Sequence, residues 1–140
     1  MLEQHAFLRK GSVPSGADWQ AAIDRLGLAF QLDPTLTPFE DSGFLPCSLA
    51  GKETGFEIYY EPAESLLASY PQLREGIGDR DYAISFRWGG DMAECASVLI
   101  ASASLVQSFG AVVFYPNDDL WYGYDELVKE LQTCLAQMDQ

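Results

Sequence analysis

Basic residues are scarce in this chain: eight Lys and Arg stand against 21 Asp and Glu, for a net charge of -13. Without a basic surface nothing displaces counterions from a phosphate backbone, so nucleic acid is excluded as a partner. An anionic membrane surface is excluded on the same ground. Histidine is scarcer still. The only one, His5, falls in a stretch, residues 1–14, that reads as a flexible N-terminal lead-in ending at Val13-Pro14. A Ser-His-Asp or Cys-His arrangement then lacks a well-placed base, so no catalytic residue is expected. Cys47, Cys95 and Cys134 have no C-x-x-C spacing, and with one terminal histidine they supply no zinc ligand set. They read as reduced core thiols in a chain with no metal, no cofactor and no structural disulfide. The first ten residues hold no continuous apolar stretch and include Glu3, unlike a secretory signal. A soluble cytoplasmic protein, monomeric or weakly dimeric, is the expectation.

Charge is also missing between Cys95 and Asn117. Five Ser and Gln residues interrupt that run, and Gly110 breaks it, so it reads as a buried helix, a turn and a buried strand rather than a membrane span.

What is present suits one core: 48% of residues are hydrophobic and 13% aromatic in a chain of 140. Ser15-Gly16-Ala17-Asp18 has the form of a helix start, Trp19, Ala22, Ile23 and Leu26 recur at helical spacing, and Gly27 supplies a left-handed stop. Leu28–Leu32 is strand-like. Residues 44–49 and 55–60 flank a turn around Gly51 and read as a hairpin, with Pro46 placing its strand at an edge. Glu64–Tyr70 allows about two helical turns before Pro71. Tyr82–Trp88 is a strand, and Asp91 with Glu94 caps an Ala- and Ser-rich helix running to Phe109. Residues 111–115 form a strand, and a final helix opens at Asp125. These elements predict a single α+β domain over residues 15–140, a mostly antiparallel sheet of four to five strands covered by two or three helices.

Several residue groups invite chemistry. Asp79-Arg80-Asp81 and Asp118-Asp119 carry carboxylates, but neither has the spacing of a calcium loop. Gly89-Gly90 before a helix suggests a phosphate cradle, yet Asp91 and Glu94 already place negative charge at that helix start. The segment from Tyr115 to Glu126 interleaves aromatics with acids in a turn-rich setting. Rings offer anchor area and cation–π contact to an Arg/Lys-rich partner, and carboxylates offer charge complementarity. Asp118, Asp119, Trp121, Tyr122, Tyr124 and Glu126 are therefore the candidate partner-binding residues. The alternative is that Trp121 and Tyr124 tuck under the last helix as the edge of the core.

Trp19–Ile23, Leu32-Asp33-Pro34, Gly43–Pro46 and Gly55-Phe56-Glu57, followed by Phe86–Asp91 and Ala111–Pro116, resemble a family of small acidic bacterial proteins. The resemblance spans about residues 14–136. It implies immunity to toxins delivered between competing cells, including type VI secreted toxins, and it carries no functional residues over. The expected function is an immunity protein that binds a cognate toxin with a basic surface stoichiometrically, without turnover; a strongly acidic surface speeds that capture. The alternative is a small-molecule-binding or enzymatic domain with its site between the sheet and the Ala/Ser-rich helix.

Overall fold

Helix α1 (Gly16–Asp24) begins where the Asp18 amide donates to the Ser15 hydroxyl at 3.1 Å, and Gly27 follows it with φ +76°. Its buried face is Trp19, Ala22 and Ile23. The chain then runs through β2 (Phe30–Leu32) into a hairpin of β3 (Gly43–Leu49) and β4 (Lys52–Pro62). Leu49 pairs with Lys52, so the turn is the two residues Ala50 and Gly51, both with positive φ (52° and 80°). That conformation matches the strand twist. The structure, a computed structural model, describes residues 1–138; the last two residues of the expected domain lie outside the described residues.

Two short helices, α2 (Ala63–Leu67) and α3 (Arg74–Ile77), precede β5 (Tyr82–Trp88). Tyr70, before Pro71, leaves helical geometry with ψ 66°. Helix α4 (Met92–Phe109) starts at Asp91, whose carboxylate accepts from the Glu94 amide. Glu94 in turn accepts from the Gly89 amide, so the reciprocal bond of the cap reaches two residues further back than expected. Strands β6 (Val112–Tyr115) and β7 (Leu120–Tyr122) lead into α5 (Tyr124–Met138).

The remaining strand is β1 (Leu2–Leu8), and it corrects the expected flexible lead-in. It lies inside a seven-stranded sheet of order β2-β3-β4-β5-β1-β6-β7, every pair antiparallel. All seven of its residues pair with β5, and His5, Ala6 and Phe7 also pair with β6. Its alternate residues serve two cores, which gives it no one-sided polar pattern for a sequence reading to detect. The class is α+β in one domain; the strand count exceeds the expected four to five because β1 and the three-residue β7 were not foreseen. Nor is β3 at the edge. Its pairing with β2 stops at Cys47, so Pro46 has no neighbour on that side and needs no donor there.

One face of the sheet packs against α1, α4 and α5 through Ala6, Leu8, Ile84, Phe86 and Val113. Helix α4 is enclosed by the sheet, α1 and α5, and its central residues from Ala96 to Leu105 are all buried. By length and composition alone it could cross a membrane; here it is the core helix. Val106 is only half-buried, unlike Ala96, Leu99 and Ala103. Its serines are satisfied: Gln4 donates to Ser102 at 2.8 Å and the Trp19 indole to Ser104 at 2.9 Å. The opposite face is covered in part by α2, α3 and the turn between them, through Leu66, Leu67, Leu73 and Ile77 over Phe7, Ala83 and Phe114.

Ala50 is the one hairpin residue whose side chain opposes its backbone conformation. Ala50→Asn creates the Asn-Gly pair that this turn favours, and should raise the unfolding free energy by about 1 kcal/mol. A urea midpoint that rises at unchanged slope checks it.

Candidate functional site

Strand register decides which side chains meet on the partly covered face. Glu57, Arg87 and Glu3 pair across β4, β5 and β1, and Phe44 continues that row onto β3. The next row is Tyr59, Ser85 and His5, continued by Phe114 and Trp121. Glu61, Ala83 and Phe7 form a third. Helices α2 and α3 cover the Phe7 end, and a groove of about 570 Å³ stays open above Glu3, His5, Tyr59, Glu61, Tyr70 and Ser85.

His5 is therefore no part of a mobile leader: it is only 4% exposed, at the floor of this groove. Its Nδ1 lies 2.7 Å from the Ser85 hydroxyl, which stands 3.4 Å from the Glu61 carboxylate. The direction of the His5–Ser85 bond follows the tautomer: with Nε2–H, which faces the Glu3 carboxylate, the Ser85 hydroxyl donates to Nδ1, and with Nδ1–H the Ser85 oxygen accepts and its own proton turns to Glu61. Nε2 has no hydrogen-bond partner, its nearest charged neighbour being a Glu3 oxygen at 3.8 Å. Glu3 also takes the Tyr70 hydroxyl at 3.3 Å and faces the Arg87 guanidinium at 3.5 Å. Burial lowers the imidazole below its ordinary value of 6.5, and Arg87 adds to this, against the opposing pull of Glu3. The ring is neutral at pH 7.

A Ser beside a His raises the question of nucleophilic catalysis. Ser85 sits mid-strand in β5, laddered on both sides by β4 and β1. Its surrounding backbone amides are engaged in the sheet and do not form a pocket for an oxyanion.

A second, wider hollow of about 720 Å³ lies at the β2–β3 side, around Phe44, Pro46 and Gln31 and reaching the start of α4. Asp33, Glu53, Asp91 and Glu94 line it, and an adjoining hollow of about 290 Å³ adds Glu40 and Asp41. No Lys or Arg lines either one. Phe44 stands 66% exposed among these carboxylates. Several are fixed locally. Asp33 accepts from the Thr35 amide and hydroxyl, which hold its carboxyl below the usual range, and Asp41 accepts from the Thr37 amide. Four of the eight cations are held elsewhere, Arg9 on Asp79, Arg74 on Glu64, Arg87 on Glu3 and Arg80 on the Gly110 carbonyl, while exposed Lys52 adjoins Glu53 in the chain. Lys10 lies over the Phe39 and Tyr82 rings.

The six residues proposed from sequence are not gathered on one surface. Asp118 and Asp119 are exposed in the β6–β7 turn, where Asp119 adopts φ +52°. Trp121 points to the open face, 38% exposed, with its ring 5.2 Å from that of Phe114 and 6.1 Å from that of Phe7. Its neighbour Tyr122 points the other way and stacks on Tyr115 toward α5. Tyr124 is half-buried against the main core, and Glu126 is exposed in the first turn of α5. An alternating strand splits aromatics that a loop would have left together.

The sequence reading missed His5, Ser85, Glu61 and the carboxylates around Phe44. His5 gave no signal because Leu2–Leu8 is buried on both sides and lacks clean alternation, and the others come together only through strand register and tertiary packing. Among the described residues no group of His, Cys, Asp and Glu is arranged to hold a metal ion. Buried Cys47 has its thiol pushed up to about 11 by desolvation, away from reactivity. No family model matches the chain, and no curated protein or solved structure was found to match it.

The lowered imidazole fixes a pH dependence. The unfolded chain takes up a proton near its ordinary value of 6.5 while the folded chain resists until lower pH. This stability is complete above about pH 7.5 and is lost as pH falls through 6.5 toward the folded value. The facing groups are Glu3, Arg87, Ser85 and Tyr70. Melting temperatures of wild type and His5→Gln between pH 8 and 5.5 check it: wild type should decline over that range, and the variant should stay nearly flat.

Proposed function

We propose that the protein is an immunity protein: it binds a basic toxin of competing bacteria in the cytoplasm as a stoichiometric partner and turns over no substrate. The observation that carries this reading is the pair of adjoining hollows around Phe44, lined by six carboxylates and by no Lys or Arg. An exposed ring ringed by fixed charge has the makeup of an interface anchor: the ring supplies desolvated area, and the charges supply orientation and encounter rate. Phe44 lies in the same row as Glu57, Arg87 and Glu3, so the surface continues from the β2–β3 side toward the groove over His5. Trp121 and the Asp118-Asp119 turn belong to the opposite end of the sheet, and a partner gripping both would have to cover its full width.

The competing small-molecule reading places a site between the sheet and α4. That space is filled by Ala96, Leu99 and Ala103 against Ala6, Ile84 and Phe86, all buried. The ladder on both sides of Ser85 likewise favours binding over turnover.

Co-expression with toxins from the strain that carries the gene tests the proposal. A rescuing pair should form a 1:1 complex. Phe44→Ala should weaken it by about 2 kcal/mol or more, and Glu53→Lys with Asp33→Lys should chiefly slow association and flatten its salt dependence. Trp121→Ala should instead lower stability by about 2 kcal/mol, less than a fully buried ring. Absence of any rescue, or loss of binding on Trp121→Ala at unchanged stability with Phe44→Ala silent, would contradict the proposal.

A further inference from the structure

We propose that Cys95 and Cys134 are a peroxide-responsive dithiol, an oxidation site whose disulfide fastens α5 to α4. Both thiols are free in the structure. Cys95 stands near the start of α4 and Cys134 in the C-terminal half of α5, and the two helices pack along each other. Their Sγ atoms lie 3.5 Å apart. A disulfide places them about 2.05 Å apart, so roughly 1.5 Å of travel turns the contact into a bond. The third thiol, Cys47, is buried on β3 with the Ser97 hydroxyl as its polar neighbour.

Unequal exposure assigns the two sulfurs their parts. Cys95 is half-buried, whereas Cys134 is only 7% exposed. An oxidant therefore meets Cys95 first, with Cys134 behind it at contact distance. A second thiol held so close traps the first oxidation product before it proceeds to irreversible acids. With hydrogen peroxide as oxidant the steps balance. The Cys95 thiolate attacks one peroxide oxygen and the O–O bond breaks. The departing oxygen takes up the proton that the thiol lost and leaves as water, and Cys95 becomes a sulfenic acid. The Cys134 sulfur then displaces that hydroxyl as a second water, and the S–S bond forms. Two electrons pass in all, one from each sulfur, to the peroxide.

The surroundings keep the pair reduced until oxidant is abundant. Burial pushes the Cys95 thiol up to about 12, with Cys134 and Glu130 adding to it, so little thiolate exists at neutral pH. The Trp88 indole works against this, and its buried N–H has no hydrogen-bond partner. An oxygen added to the Cys95 sulfur brings an acceptor toward that N–H, which favours the sulfenic intermediate. Tyr115 and Tyr122, from β6 and β7, also face Cys95; burial raises both above their ordinary value of 10, so neither ionises below pH 9. Once formed, the bond ties the last helix to the core helix and constrains the unfolded chain by the loop between them.

The test exposes the full chain, reduced and then freed of reductant, to millimolar hydrogen peroxide. Trypsin separates the three thiols: Cys95 falls between Arg87 and Lys129, Cys134 after Lys129, and Cys47 between Arg25 and Lys52. The expected product is a monomer lighter by two hydrogen atoms, with the Cys95 and Cys134 peptides linked and released again by dithiothreitol. Its formation should quicken about tenfold from pH 7.5 to 8.5, as the Cys95 thiolate fraction does. The oxidised chain should melt about 5 °C or more above the reduced one. Cys134→Ala, checked for cooperative unfolding, should form no link and let dimedone capture the Cys95 sulfenic acid. No linked peptide in the wild-type chain, a link that takes in Cys47, Cys95 driven to its sulfinic acid while Cys134 stays free, a rate indifferent to pH, or an unraised melting temperature would overturn the proposal.

Discussion

The antiparallel pairing of β1 between β5 and β6 is the contact on which the rest of this structure depends. It joins the β2–β5 half of the sheet to β6, β7 and α5, which have no other strand pairing to it. It also serves both sides of the sheet at once. Ala6 and Leu8 enter the core beneath α4, while Phe7 enters the smaller core beneath α2 and α3. His5 has no choice of environment after that: its neighbours, Ser85 and Phe114, are set by register. The neutral, half-satisfied imidazole is a consequence of where a strand had to go.

The asymmetry of the two faces divides stability from function. The α4 face is fully occupied, with a helix that carries no charge beyond Glu94, small residues for close approach, and serines tied to Gln4 and Trp19. Apolar burial there, at roughly 25 cal/mol per Å², supplies most of the driving force for folding. The other face is covered only at the Phe7–Phe114 end, which leaves the Phe44, Glu57, Arg87 and Glu3 row uncovered across β3, β4, β5 and β1. That face carries Glu57, Arg87, Glu3, Tyr59, Glu61 and an exposed Phe44, and it is the surface on which the proposed partner binding rests.

What was legible in the sequence was local. The Ser15 and Asp91 caps, the Gly51 turn, the break at Tyr70-Pro71 and the buried α4 each depend on a few adjacent residues, and each lies where the pattern placed it. Leu2–Leu8 was not legible, because a strand buried on both sides lacks clean alternation and its partners lie about 80 and 110 residues away. The error then spread to chemistry: a lead-in takes the only histidine out of consideration, whereas a central strand puts it beside Ser85. At β7 the failure was one of period. Three residues are too few to announce a strand, yet they suffice to send Trp121 and Tyr122 to opposite faces. The acidic hollow was hidden for a different reason: Asp33, Glu53 and Asp91 come from three separate segments and meet only through the sheet.

The position of β1 is tested most directly by native-state hydrogen exchange of its backbone amides. If Leu2–Leu8 is an internal strand, the amides of His5, Ala6 and Phe7 that donate into the ladder should exchange only with global unfolding, as slowly as those of β5. Exchange of these amides at the rate of an exposed loop, with β5 still protected, would contradict the arrangement and with it the His5 groove.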